Sequence, residues 1–303
     1  MKTTKKLLGT LVIASLSAGL GTSALAQGTL EKVKAAGAIT VGHRDASIPF
    51  AYLDDNQKPI GYSMDLCAKI VDAVKAELKM PDLKVNYQPV TSSTRIPLLA
   101  NGTVDMECGS TTNNADRQKQ VAYAPTTFVT ATRFVSKKAD NLKTLADLKG
   151  KTVVSTSGTT NLKLLTEVNA SEKLDMNILT AKDHAESFLM VDTGRAAAFV
   201  MDDILLAGLA ANSPTPEKYA ISNAALSVEP YGIMVRKDDP AYKKVVDGAI
   251  AGLMKSGEIN KIYAKWFTSP IPPRNINLNI PMSDQLKKVV ANPTDSPDPA
   301  MYK

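Results

Sequence analysis

The chain has 303 residues, of which 44% are hydrophobic and 22% charged, with a formal net charge of +6. That length and balance suit a globular protein of one large or two medium domains. The basic excess is too small, and too poor in basic runs, to point to a nucleic acid or a membrane surface as partner.

The N-terminus reads as a targeting segment. Lys2, Lys5 and Lys6 precede an apolar run from Leu7 to Leu20, and Ala24-Leu25-Ala26 before Gln27 matches a small-x-small cleavage pattern. Residues 1–26 are therefore expected to be a signal peptide, cut after Ala26, that sends the chain to the periplasm. Thr10, Ser15, Ser17 and Gly19 interrupt the run, which argues against a membrane anchor. No cysteine lies near the cut to carry a lipid. The two cysteines, Cys67 and Cys108, enter a compartment that permits disulfides, where they either pair or stay as buried thiols.

In chain order, Thr29–Ala36 reads as a short helix stopped by Gly37, and Ala38–Gly42 as a buried strand. Arg44 then falls in the loop at the strand's carboxyl end, the edge at which open α/β sheets bind ligands. A hairpin-like excursion follows at 51–62, then a helix from Ser63 to Leu78 with Leu66, Ile70, Val74 and Leu78 on one stripe. The strand 84–90 ends in Ser92 and Arg95, ahead of a helix at 96–100.

Gly102-Thr103-Val104-Asp105-Met106 reads as a turn feeding a short strand, and the polar run Cys108–Arg117 follows it. Its asparagines can cap a helix carrying Arg117 in the first turn. Ser110, Thr112, backbone N–H groups and a guanidinium fork can then converge on a carboxylate. The long extended stretch 124–135 suits a strand leaving one lobe for another. A strand at 151–155 leads to Ser157-Gly158-Thr159-Thr160, a hydroxyl-rich helix start that lacks the Gly-Lys-Ser/Thr ending of a phosphate loop.

Another strand at 177–180 precedes His184. The segment 193–203 then repeats the plan of 101–109, a turn glycine, a strand and polar residues at its end, here Asp202. Asp202 also stands where it could cap the helix 204–211. A second extended crossing spans 226–236, helices fill 241–267 with a break at Ser256-Gly257, and Val245, Ile250, Leu253, Ile259, Ile262 and Trp266 are core candidates. A wrapping tail follows, with a short helix at 283–290 and a terminal Pro/Asp/Ser segment expected to be disordered.

Arg44, Arg95 and Arg117 against the single carboxylate of Asp202 give the candidate site two surplus positive charges. A ligand with two carboxylates and one ammonium, an acidic amino acid, offsets them most directly. An enzyme on the same scaffold, a dehydratase or hydrolase, is the competing class. Neither Gly-x-Ser-x-Gly nor His-Glu-x-x-His occurs, and two histidines are too few for an ordinary histidine-rich metal centre, so no cofactor or metal is expected.

Several ordered segments carry a more specific likeness: Val41-Gly42-His43-Arg44, 91–99, 107–114 with Arg117, 157–160, Ala181-Lys182-Asp183-His184, Met201-Asp202-Asp203, Lys265-Trp266-Phe267 and Pro270-Ile271-Pro272-Pro273. From about Leu30 to Ser283 the chain resembles the periplasmic solute-binding proteins of polar amino acid ABC transporters (extracellular solute-binding protein family 3), in particular their glutamate/aspartate-binding branch. The resemblance implies an α/β, two-lobed type II periplasmic-binding-protein fold, with residues 27–131 and 230–303 in lobe 1, 132–229 in lobe 2 and the ligand in the cleft. It puts Arg117, Ser110 and Thr112 on the α-carboxylate of L-glutamate or L-aspartate and Asp202 on its ammonium. Arg44, Ser92, Arg95 and His184 would hold the side-chain carboxylate, and Thr160 would close the site. The implied partner is a membrane permease, with a monomer as the default state. Cys108 fits the family pattern, but Ile233 stands where its partner is expected, so the pairing with Cys67 stays open.

Overall fold

A computed structural model describes residues 28–303. The expected signal peptide and its cleavage site lie outside the described residues. Among those residues, no helix is long and apolar enough to cross a membrane.

Two five-stranded sheets carry the fold, and they share one plan. In the first, the order is Lys84–Pro89, Ala38–His43, Met106–Cys108, Met234–Arg236, Val121–Tyr123. The first three of these strands are parallel, and Met234–Arg236 runs antiparallel to both its neighbours. In the second, the order is Asn177–Ala181, Thr152–Thr156, Ala198–Asp202, Thr132–Lys137, Tyr219–Ile221, with Thr132–Lys137 the antiparallel member. The repeat of turn, strand and polar end read at 101–109 and 193–203 thus marks the third parallel strand of each lobe. Parallel strands place their carboxyl ends on one edge, and in both sheets that edge turns toward the other lobe.

Between the sheets run the two crossings, Phe128–Thr130 and Glu229–Tyr231, paired antiparallel. Their lobe 1 side is fixed by aromatic packing: Phe128 stacks on Phe267 at 4.9 Å and meets Phe50 edge-on at 5.0 Å. Tyr231 meets the same Phe50 ring at 5.2 Å. The helix Tyr62–Leu78 buries Leu66, Ile70 and Val74 of its predicted stripe against the helix Pro240–Ser256. In that second helix Val246 takes the core position, and Val245 is only half-buried.

The cysteine question resolves as a disulfide. Cys67, on the helix Tyr62–Leu78, bonds Cys108 at the end of the central strand, with Cα atoms 6.3 Å apart. Ile233 is buried in the apolar core.

The terminal segment differs from the expectation of disorder. Beyond the expected helix, which covers Asp284–Ala291, a 3-10 turn covers Pro299–Tyr302. Tyr302 is buried, its hydroxyl lies 2.9 Å from Thr126 Oγ1, and it donates to the Ser296 carbonyl. The Asp295 carbonyl accepts from Asn113 Nδ2 and Gln118 Nε2. Composition reported low hydrophobicity there, but one buried ring and a few backbone acceptors suffice to anchor the strap.

Candidate ligand-binding site

Each arm of the site follows from a strand end. Ala38–His43 stops at His43, and Arg44 turns inward, 2% exposed. The strand Lys84–Pro89 leads to Ser92 and to Arg95, first residue of the helix Arg95–Ala100. Met106–Cys108 leads to Ser110 and Thr112, after which Asn114 caps the Ala115–Gln118 turn by accepting from the Arg117 N–H at 2.9 Å. From the second sheet, Thr152–Thr156 leads to Thr160, the loop after Asn177–Ala181 to His184, and Ala198–Asp202 to Asp202 itself.

The structure brings seven of the nine predicted residues around one cavity enclosing about 190 Å³: Ser92, Arg95, Ser110, Thr112, Thr160, His184 and Asp202. Arg44 and Arg117 flank it. Among the described residues, Arg44 Nη1, Ser92 Oγ, Arg95 Nε and Ser110 Oγ are buried without a hydrogen-bond partner. Four such groups from three loops are anomalous for a folded core, where buried polar atoms are paired. They are four of the donors predicted for an anion.

The lobes touch across the cleft. Arg117 donates to the Thr112 carbonyl at 2.8 Å and reaches over to the Gly158 carbonyl at 3.3 Å. Gly158 sits at φ +77°, and a Cβ there would come within 2.7 Å of the Ser93 backbone. Lys163 and Asp116 pair at 3.3 Å on the exposed rim.

At the arginine end, burial lowers the pKa of Arg95 to about 9, with Arg117 and Arg44 adding to it and Glu107 opposing. Burial likewise lowers that of Arg44, with Glu107 and Asp183 opposing. His184 is pushed well below 6.5 by burial and then by Arg44 and Arg95, so its imidazole is neutral. Its Nδ1 lies 2.9 Å from Thr156 Oγ1. Charge assistance at His184 would therefore have to come from a bound anion.

Asp202 occupies the N-cap position of the helix Asp203–Ala211, but its side chain makes no capping bond. Instead Oδ1 accepts from Asn161 Nδ2 at 2.7 Å, and Oδ2 accepts from the Tyr231 hydroxyl. Burial first and the neighbouring Glu229 second push its pKa up to about 7.

Two buried acids correct the charge reading of the sequence. Glu107, fully buried, accepts from Thr111 Oγ1 at 2.7 Å and lies 4.0 Å from Arg95 Nη1. Arg95 also donates to Thr111 Oγ1 and to the Ser110 carbonyl. Glu229, 5% exposed, accepts from Thr160 Oγ1 at 3.0 Å. The two surplus positive charges are thus a property of the arginine end, three guanidiniums against Glu107, and the opposite end is anionic. Both acids stand between apolar neighbours, in Met106-Glu107-Cys108 and Val228-Glu229-Pro230, and a lone buried acid needs a partner. That pattern was the available signal.

Comparison with known proteins agrees with this architecture. Residues 39–269 match the model of the bacterial extracellular solute-binding proteins, family 3. The L-glutamate/L-aspartate-binding protein of Pseudomonas aeruginosa is 55% identical over 97% of this chain and 98% of its own length. The glutamate/aspartate import solute-binding protein of Escherichia coli is 50% identical over 93% and 94%. Among solved structures, an ancestral arginine-binding protein bound to glutamine superposes with a TM-score of 0.69 at 30% identity, over 76% of this chain and 98% of that one. With two lobes of one plan, a polar cavity between them and a family match across most of its length, the chain belongs to the bacterial extracellular solute-binding proteins, family 3.

Proposed function

We propose that the protein captures L-glutamate or L-aspartate in the periplasm and hands it to the permease of an ABC transporter. The observation that carries this is the arrangement of the buried charges: two surplus guanidinium charges at one end of the cavity, two carboxylates at the other. In this reading lobe 1 comprises residues 27–131 and 230–303, lobe 2 comprises 132–229, and the lobes close on the ligand. Arg117, Ser110 and Thr112 hold the α-carboxylate, and Asp202 and Thr160 meet the ammonium. Arg44, Ser92, Arg95 and His184 hold the side-chain carboxylate. The names of the Pseudomonas aeruginosa and Escherichia coli relatives support the same ligand class.

Closure is the step that transport uses. A ligand bound by both lobes stabilises the closed form by the difference of its affinities for the two states, and a permease that recognises that form then receives only loaded protein. The protein performs no bond chemistry in this reading. Calorimetric titration of protein unfolded and refolded to strip carried ligand, with glutamate, aspartate, glutamine and arginine in turn, tests it. One-to-one binding confined to the acidic pair is expected; binding of glutamine or arginine in preference would overturn the assignment of the side-chain pocket.

A further inference from the structure

The second crossing does more than join the lobes. Period two along Glu229–Tyr231 sends the side chains of Glu229 and Tyr231 to the same face, and both reach the Asp202 corner of the cavity. Glu229 Oε1 accepts from Ser227 Oγ at 2.6 Å and Oε2 from Thr160 Oγ1 at 3.0 Å. Thr132 Oγ1 lies 3.5 Å from Glu229 Oε1 and 3.5 Å from Asp202 Oδ1, so one hydroxyl hydrogen faces two carboxylates. Asn161 Nδ2 donates to that hydroxyl and to Asp202 alike, at 2.7 Å each. Every hydrogen-bond donor that the two acids meet among the described residues is neutral.

Two buried carboxylates served only by neutral donors repel each other, and the low dielectric strengthens the repulsion. A cation placed between them relieves it. We propose that Glu229 is the second anionic wall of the ammonium subsite: a positioning residue that holds Thr160 and, with Asp202, makes the closed cleft demand a positively charged α-substituent. Because Glu229 pairs with Thr130 in the crossing itself, the same contact ties occupancy of the subsite to the hinge.

This inference rests on the acidic amino acid reading above, and the experiment separates the two. The ligands are L-glutamate and 2-oxoglutarate, which keeps both carboxylates and carries a ketone oxygen in place of the ammonium. Affinities are measured by displacement of labelled glutamate from the full mature protein and from Glu229→Gln and Glu229→Asp. Failure of the unsubstituted protein to bind glutamate would sink the parent reading. If it binds, Glu229→Gln should lose about tenfold or more in glutamate affinity, the scale of a buried hydrogen bond to a charged group, with 2-oxoglutarate unchanged or tighter. Glu229→Asp keeps the charge one methylene short of Thr160 and should shift the ratio by about threefold, an intermediate value. Equal losses for both ligands, or no loss for either, would overturn the proposal. Should Glu229→Gln fail to fold, the ratio in Glu229→Asp decides by itself.

Discussion

The two ends of the cavity solve opposite problems with different parts of the fold. The arginine end is built within lobe 1, where Arg44, Arg95 and Arg117 come from three loops of one sheet and Glu107 stands behind them. Its donors are aimed and partly unpartnered, and its backing strand is tied by the Cys67–Cys108 bond. The carboxylate end is assembled from lobe 2 and the crossing, with Asp202, Thr160 and Asn161 from one and Glu229 and Tyr231 from the other. The first end gathers donors aimed at an anion, and the second ties the crossing to lobe 2 through Glu229 on Thr160 and Tyr231 on Asp202.

Removal of Arg95 should show the largest effect. Arg95→Ala strips the side-chain subsite of one guanidinium and leaves Arg44 as the cation facing Glu107, so glutamate affinity should fall by about 100- to 1,000-fold. Glutamine affinity should fall far less, and titration of both ligands checks the contrast. Equal losses would erase the distinction between the two ends.

The disulfide tests whether the stiffness of the arginine end is covalent. It closes a loop of sequence separation 41. Replacing both cysteines by serine should lower stability by about 2–4 kcal/mol in urea unfolding. The preference for glutamate over glutamine should hold, because side chains rather than the bond make the selection.

Closure itself is probed by Gly158→Ala. With φ at +77° and the Ser93 backbone 2.7 Å from a Cβ, the variant opposes the closed state. Every ligand should weaken together by about tenfold, in keeping with an overpacking cost of roughly 1–2 kcal/mol where the Cβ meets Ser93. The left-handed φ strains the variant with or without ligand, so the melting temperature of the unliganded protein should fall by a few degrees, and the clash with Ser93 shows as the loss of affinity beyond that. At the far side of the hinge, Tyr302→Phe removes the hydroxyl bonds to Thr126 and Ser296 and should cost about 1 kcal/mol of stability, with affinity intact.

Much of this was legible in the sequence because it is local. Apolar runs ending in hydroxyls and an arginine announced the strand ends, and the two glycine turns at 102 and 194 announced the repeated plan. What escaped was tertiary. Nothing near Cys67 says that its helix lies on the strand ending at Cys108. Glu107 and Glu229 lie in strands whose neighbours are apolar, so pattern assigns them to the core and only assembly shows them against arginines or against Asp202. For the tail, polar composition hid the anchoring by Tyr302.

The most direct test of the opposed ends is a crystal structure of the protein with L-glutamate. The account predicts the side-chain carboxylate among Arg44, Ser92, Arg95 and His184, the α-carboxylate on Arg117, and the ammonium within hydrogen-bond reach of Asp202 and Thr160. A ligand bound in the reverse sense, with its ammonium toward the arginines or away from Asp202, would contradict it.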